Sequence, residues 1–156
     1  MIIRVMKEFA RPSNTTAYSA NDVIGPASGQ SLHEFSVPLR AVVVVGGRLE
    51  SNATQDVSGY IFVVDSSSYA PGLDNAAITA VTYNDRHVCT VPIVGGTEGL
   101  SGVPIIASSF AASYPVTLTD TKIYAAVTAG AGFTPTSGQL FRLSLFLQIP
   151  DEMGRF

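Results

Sequence analysis

Hydrophobic and polar residues alternate strictly over Leu140 to Ile149, near the end of the chain. Side chains of a β-strand point to opposite faces in turn, so this period of two predicts a strand with one buried face and one polar face. Phe146 interrupts the polar face and indicates an interface on that side. The apolar positions are Phe141, Leu143, Leu145, Leu147 and Ile149, and the polar ones are Arg142, Ser144 and Gln148.

Three further segments are rich in the β-branched and aromatic residues that strands favour. Ala41 to Glu50 predicts either a strand covered on both faces or one that ends at Gly46-Gly47. Val57 to Asp65 and Lys122 to Thr128 predict strands as well, the second with Ile123, Ala125 and Val127 facing inward. Weaker strand patterns are Ile2 to Phe9, His33 to Val37, His87 to Ile93, Pro104 to Ala107 and Val116 to Leu118.

Clusters of Ser, Asn, Pro and Gly separate these segments, and no long window repeats its apolar residues at the helical period of 3.6. About eight or nine short strands joined by turns predict an all-β fold, an antiparallel β-sandwich or jelly roll. One helical turn is expected at Leu73 to Thr79. We expect a single domain over residues 1–150, followed by a short tail at residues 151–156.

The composition is poor in charge. Charged residues make up 13% of the 156 residues, against about 25% in an ordinary domain, whereas hydrophobic residues are 46%. Small neutral residues therefore replace charged ones at the surface. Because interfaces are depleted in charge at their centres, this favours a surface that other subunits cover. A Ser/Thr-rich or secreted β domain would have a similar composition.

Charge and hydropathy also restrict the partners. The net charge is −3, and the nine Lys and Arg residues form no cluster that could follow a phosphate backbone, so no nucleic acid is expected. Apolar stretches such as Ala41 to Val45 are far shorter than the about 20 residues of a membrane span. The first residues lack the pattern of a signal peptide, so we expect synthesis in the cytoplasm and no membrane partner.

Few residues suit nucleophilic or metal chemistry. Cys89 is the single cysteine and has valine neighbours, which favours a buried, inert thiol. His87 and Cys89 are two apart and should share a strand face, but zinc needs about four ligands and only these two are offered. A pair of Cys89 with His33 as its base is left open.

Acidic residues fall mostly at strand ends and turns, where carboxylates are normally solvated. Asp74-Asn75 and Asn84-Asp85 favour Asx turns over a calcium site. The sequence therefore predicts no catalytic, cofactor-binding or metal site, and a protein that is not an enzyme. The carboxylates that could pair for glycoside hydrolysis are Glu34, Glu50, Asp56, Asp65, Asp74, Asp85, Glu98 and Asp120.

The stretch from Phe9 to Gly25 reads FARPSNTTAYSANDVIG. It resembles the RP-(S/A)-(N/D)-TTAY-x-x-x-D-V-(I/V)-G opening of a family of small virion structural proteins of tailed bacteriophages. Three later elements resemble the same family in the same order. They are GRLESNAT at Gly47 to Thr54, LDNAA at Leu73 to Ala77 and FTPTSGQLF at Phe133 to Phe141.

This resemblance implies a capsid decoration (cement) protein on the outer surface of the virion. Such proteins are β-sandwich or jelly-roll homotrimers that contact the major capsid protein at local three-fold axes. In the opening motif, Pro12 would fix the chain after the first strand. Thr15, Thr16 and Asp22 would satisfy backbone groups of an ordered loop, and Tyr18 would pin that loop to the sandwich.

Two other functions remain as alternatives. A tail, baseplate or head-fibre module that binds a host glycan would have an exposed aromatic or acidic groove and a low copy number. A glycan hydrolase would need paired carboxylates in a cleft. The segments Gly95 to Gly102 and Asp151 to Phe156 have no counterpart in the resembled family and are candidate capsid contacts of the decoration protein.

Overall fold

The computed structural model describes residues 1–53, 57–94, 105–108 and 114–151, with the backbone alone for residues 105–108. Of the two candidate capsid contacts, Gly95 to Gly102 and all of Asp151 to Phe156 except Asp151 lie outside the described residues. Nine strands occur in the described part of the chain, and all of their pairings are antiparallel. They are β1 (Ile2–Ala10), β2 (His33–Ser36), β3 (Ala41–Ser51), β4 (Gly59–Val64), β5 (His87–Val94), β6 (Ile105–Ser108), β7 (Tyr114–Thr117), β8 (Lys122–Ala129) and β9 (Leu140–Gln148).

Two antiparallel sheets pack face to face, which confirms the predicted β-sandwich. The first sheet has the order β1-β9-β3, with β7 paired to the first half of β3 and β6 to its end. The second sheet has the order β2-β8-β4-β5. Strand β6 also pairs with the end of β5 and so links the two sheets along one side.

Strand β9 forms the centre of the first sheet, as its alternating pattern predicts. All five of its predicted apolar positions, ending at Ile149, are buried against the inner face of the second sheet. Strand β3 continues through Gly46-Gly47 with a bulge after Val44. A Cβ atom on Gly47 would lie 2.6 Å from Ile61 Cδ1, so the sheets approach too closely there for a side chain.

The second sheet is covered on its outer face as well. Ile123, Ala125 and Val127 of β8 face the main core as predicted, but Tyr124 and Ala126 on the opposite face are also buried. The segment after β4 folds back over them and forms a second, smaller core. That core consists of Val64, Tyr69, Tyr124 and Ala126, with Leu32 and Val81 packed against it.

The predicted helical turn at Leu73 to Thr79 is wrong. Asn75 has a left-handed φ of 62°, so the local bond from Ala76 N to Leu73 O at 3.2 Å closes a turn that does not continue as a helix, and the backbone then pairs with an earlier segment. Val23 N donates to Ala76 O at 2.8 Å, and Asn75 N donates to Val23 O at 2.8 Å. The helical element found in the described residues is a single 3-10 turn at Tyr83–Asp85.

Two weak strands are shifted from their predicted positions, by one residue for β6 and by two for the start of β7. Both belong to the part of the chain where the apolar pattern is short and interrupted by Pro and Ser. Among the described residues, no helix has the length and hydropathy needed to cross a bilayer.

Candidate functional site

Arg11 follows β1 directly and is buried, with 1% of its surface exposed. Its Nε donates to Tyr18 Oη at 3.0 Å, and its Nη2 donates to Asn14 Oδ1 at 3.0 Å and to Asp74 Oδ2 at 3.2 Å. Nη1 donates to the carbonyl oxygen of Asn14. A buried guanidinium is tolerated only when it is paired and hydrogen-bonded, and these four bonds meet that condition.

Asp74 supplies the counter-charge, and its side chain is 4% exposed. Its Oδ1 accepts hydrogen bonds from the Tyr18 hydroxyl and, at 2.9 Å, from Gly25 N. Burial, together with the hydrogen bond to Asp74, raises the pKa of Tyr18 above its ordinary value, so the hydroxyl stays a donor. We call Arg11, Asn14, Tyr18 and Asp74 the Arg11 cluster.

The chain is shaped around this cluster. Gly25 brings its backbone N–H to Asp74, and a Cβ atom there would lie 1.9 Å from Ser31 Oγ. The Asp22 carboxylate accepts from Ser19 N at 2.6 Å, and Thr16 N donates to Asn14 Oδ1 at 3.1 Å. These contacts hold the loop from Arg11 to Gly25 in one conformation.

The remaining two motifs reach the same end of the sandwich. The rings of Tyr18 and Phe133 stack with centroids 4.8 Å apart, and Tyr18 N donates to Phe133 O at 2.9 Å. Arg11 N donates to Gln139 O at 3.1 Å, and Gln139 Nε2 donates to Ser51 Oγ. Two of the four resembling segments therefore form the Arg11 cluster, and the other two are joined to it through Phe133, Gln139 and Ser51.

The roles expected for the opening motif are met only in part. Tyr18 pins the loop, and Asp22 satisfies a backbone N–H, as expected. The described contacts assign the backbone bonding in the turn to Asn14 rather than to Thr15 and Thr16, whose side chains are exposed. Sequence reasoning missed that Arg11, Asn14 and Asp74 form a cluster. The available signal was Asp74, the single charged residue between positions 66 and 84.

His33 and Cys89 do not form a pair. Both lie in one row of the second sheet, in which His33 is opposite Ala125, Ala125 opposite Val63, and Val63 opposite Cys89. Two strands separate them, which places them about 14 Å apart at the usual strand spacing. Cys89 is buried as expected, and burial raises the pKa of its thiol to about 12, which keeps it protonated.

The expectation that His87 and Cys89 share a strand face is wrong. Strand β5 has a bulge, because Val63 is opposite Cys89 while Val64 is opposite His87. The extra residue, Val88, packs with Cys89 against the core, and His87 turns outward. Its Nε2 lies 3.0 Å from Thr90 Oγ1 on the outer face.

The candidate carboxylates serve separate structural contacts. Asp65 accepts from Thr119 N at 3.0 Å and pairs with Arg86 at 2.9 Å, and Asp85 caps the 3-10 turn through Thr82 N at 2.7 Å. No group of three His, Cys, Asp or Glu in the described part of the chain is placed to hold a metal. Glu34 pairs with Lys122, Glu50 with Arg4, Arg48 and Arg142, and Asp120 accepts from Lys122 N, whereas Asp56 and Glu98 lie outside the described residues.

Among the described residues, part of the outer face of the second sheet carries no exposed charge, whereas Glu34 and Lys122 lie exposed elsewhere on that face. The cover of the neutral part is the segment 66–84, in which the single charged side chain, Asp74, is buried in the Arg11 cluster. Tyr83 is 97% exposed, Val94 66% and Tyr60 43%, so large apolar side chains are presented to solvent. We call this the uncharged surface. It consists of residues 66–84 with the outward residues of β4 and β5, namely Tyr60, Phe62, Thr90, Pro92 and Val94.

Hydrogen bonds within residues 66–84 fix the backbone of the uncharged surface. Tyr69 Oη donates to Thr79 O at 2.7 Å, and Thr79 N donates to Pro71 O at 2.9 Å. A groove of about 1160 Å³ crosses it, with Phe62 and Tyr83 among its lining residues. Its charged border, Arg86, is already paired with Asp65. The lining of the groove is mostly neutral, with His87 and Arg86 at one side.

Comparison of the sequence with protein-family models and with curated proteins finds no match.

Breaking the Arg11–Asp74 pair should destabilise the fold strongly. Asp74→Asn keeps the size of the side chain but leaves the buried guanidinium without a counter-charge, which typically costs about 3–5 kcal/mol. The matched control is Glu34→Gln, since Glu34 and Lys122 form an exposed pair that solvent screens. Urea unfolding at pH 7 measures both, and equal losses would contradict the role given to the cluster.

His33 should make stability depend on pH. Its ring stacks on Phe9 at 4.4 Å, and burial lowers its pKa from 6.5 to about 4. Between these values the unfolded chain binds a proton that the folded one does not, so stability falls as pH falls from 6.5 to 4, by about 3 kcal/mol in total.

Urea unfolding at several pH values between 7 and 4 measures this dependence. His33→Gln should remove that part of it, whereas His87→Gln, at an exposed position, should keep it. An identical pH dependence in wild type and His33→Gln would rule out this origin.

Proposed function

We propose that this protein is a bacteriophage capsid decoration protein that binds the outer capsid surface through the uncharged surface. It acts as a homotrimer and stabilises the head by bridging major capsid subunits. Two lines of argument support the proposal. One is the resemblance of the opening motif and three later segments to small phage virion proteins, and the other is the character of the uncharged surface.

The uncharged surface is the observation that carries the proposal. Interface centres are depleted in Lys, Glu and Asp and enriched in aromatic residues, and this surface has that composition. Tyr83 stands on a 3-10 turn that Asp85 caps by accepting from Thr82 N at 2.7 Å and Thr82 Oγ1 at 2.8 Å. A tyrosine side chain has few rotatable bonds, so its ring loses little entropy when it is buried, which favours binding.

Decoration also requires that the protein stay bound to the capsid surface. Several weak contacts made at once give an avidity that a single weak contact lacks, and a trimer provides such contacts. The Arg11 cluster fixes the segment around Asp74 and so keeps the binding surface in one shape before it meets the shell. Preorganisation of this kind reduces the entropic cost of binding.

A charge placed on the uncharged surface should weaken binding to the shell. Tyr83→Glu changes a side chain that is 97% exposed, so the fold is retained, but the new carboxylate must be desolvated in the interface. We expect binding to purified shells that lack the protein to weaken about thirtyfold or more, equivalent to about 2 kcal/mol. The control is Leu140→Glu, since Leu140 is 52% exposed and lies outside the uncharged surface.

The copy number of the protein in virions tests the function itself. Virions of the phage that encodes this chain should contain it in a copy number of the same order as the major capsid subunit. A copy number typical of tail or baseplate parts would refute decoration and favour the glycan-binding alternative. Unchanged shell binding of Tyr83→Glu would refute the assignment of the surface.

A further inference from the structure

Strand β1 is a nine-residue edge strand whose second side is unpaired among the described residues. Met1 and Ile149 exchange hydrogen bonds, with Ile149 N donating to Met1 O at 2.9 Å, and the register to β9 continues without a break. In an antiparallel pair every second residue is bonded in this way. The odd residues of β1 therefore bond to β9, and the even residues direct N–H and C=O away from it.

The one described bond on this free side agrees with that parity, because Ala27 N donates to Ala10 O at 2.9 Å. The backbone groups of Ile2, Arg4, Met6 and Glu8 are left to face solvent along the edge. Ile2 is 62% exposed and Met6 55% exposed on the outer face. A long edge with apolar side chains is a template for another strand, which proteins normally blunt or use.

We propose that β1 pairs with β1 of a second copy of this chain, antiparallel about a two-fold axis at Met6. The charges select this register. It places Arg4 opposite Glu8 of the other copy, twice by symmetry, and Met6 opposite Met6. Opposite charges across a ladder stabilise it and like charges destabilise it.

Neighbouring registers lack this complementarity. Shifts that keep the even residues in the ladder pair Arg4 with Met6, Arg4 with Arg4, or Glu8 with Glu8. Lys7, a residue type that often protects an edge, lies on the inner face and is opposite the uncharged Val5 in the proposed register. From residue 4 to residue 8 the two strands would form about six hydrogen bonds. The first sheet of one copy would then continue into the first sheet of the other.

The contact is separate from the uncharged surface and does not depend on the proposed function. A closed two-fold contact leaves any three-fold contact free, so it would link one trimer to the next as readily as two single chains. The partner is thus a second copy of the same strand. It is recognised through backbone hydrogen bonds and through the pairing of Arg4 of each copy with Glu8 of the other.

Cysteine cross-linking tests the axis directly. In the proposed register only residue 6 is opposite itself, at the Cα separation of about 5.5 Å that a disulfide accepts. Met6→Cys should give a covalent dimer under mild oxidation on a non-reducing gel. Ile2→Cys is the control, because Ile2 is 62% exposed, against 55% for Met6, but is opposite Ala10. The native Cys89 is buried and does not interfere. Equal cross-linking of both variants, or none with Met6→Cys, would overturn the proposal.

A charge exchange separates the intermolecular pair from the contacts within one chain. Arg4 pairs with Glu50 at 2.9 Å, and Glu8 pairs with Arg142, so Arg4→Glu and Glu8→Arg each create a repulsion within the chain. The double variant keeps both of those repulsions but restores opposite charges across the two-fold axis.

Sedimentation velocity should therefore show dissociation in each single variant and recovery of the pair in the double variant. Association weaker in the double variant than in either single one would overturn the proposal, as would a wild type that forms no such pair. Thermal unfolding of each variant confirms that its fold is retained.

Discussion

The buried ion pair between Arg11 and Asp74 determines the conformation of one whole end of this sandwich. Two charges taken out of water are tolerated only where hydrogen bonds replace the lost hydration, and here three residues supply those bonds. Asn14 and Tyr18 satisfy the guanidinium, and Tyr18 and Gly25 satisfy the carboxylate. The loop after β1 and the segment after β4 are thereby fixed to each other, although 63 residues separate the two charges in sequence.

The two outer faces of the sandwich differ because of this link. The segment anchored at Asp74 covers the second sheet, builds the smaller core around Tyr69 and leaves a surface of neutral residues outside. The first sheet has no such cover among the described residues, and its outer face carries an ion network centred on Glu50. Part of one outer face is therefore neutral, whereas the other carries a network of charged side chains.

The main strands could be predicted from the sequence because alternation reports one buried face directly. β9 follows its pattern residue by residue, and β8 faces inward as expected. The burial of Tyr124 and Ala126 could not be predicted, since it depends on residues 66–84, which lie far away in sequence and fold over them. The bulge at Val88, which turns the side chain of His87 to the outer face, could not be predicted either, because the pairing of β5 with β4 and not the local pattern sets the register.

The Arg11 cluster shows a similar limit. Local preference in LDNAAIT favours a helical turn, but the tertiary bonds of Asp74 and the pairing of Asn75 with Val23 outweigh it. The sequence contained a partial signal, a lone acid in an uncharged stretch and an arginine in a motif of turn residues. Nothing in either pattern indicated that the two would meet, because their contact requires both sheets to be in place.

Native-state hydrogen exchange tests most directly whether the cluster joins its four segments into one unit. The amides to follow are Arg11, Tyr18, Asn52 and Asn75, which donate to Gln139, Phe133, Leu140 and Val23 respectively. The account predicts that they exchange with one opening free energy and respond together to added denaturant. Exchange of Asn75 through a separate, smaller opening, with the other three still protected, would contradict it.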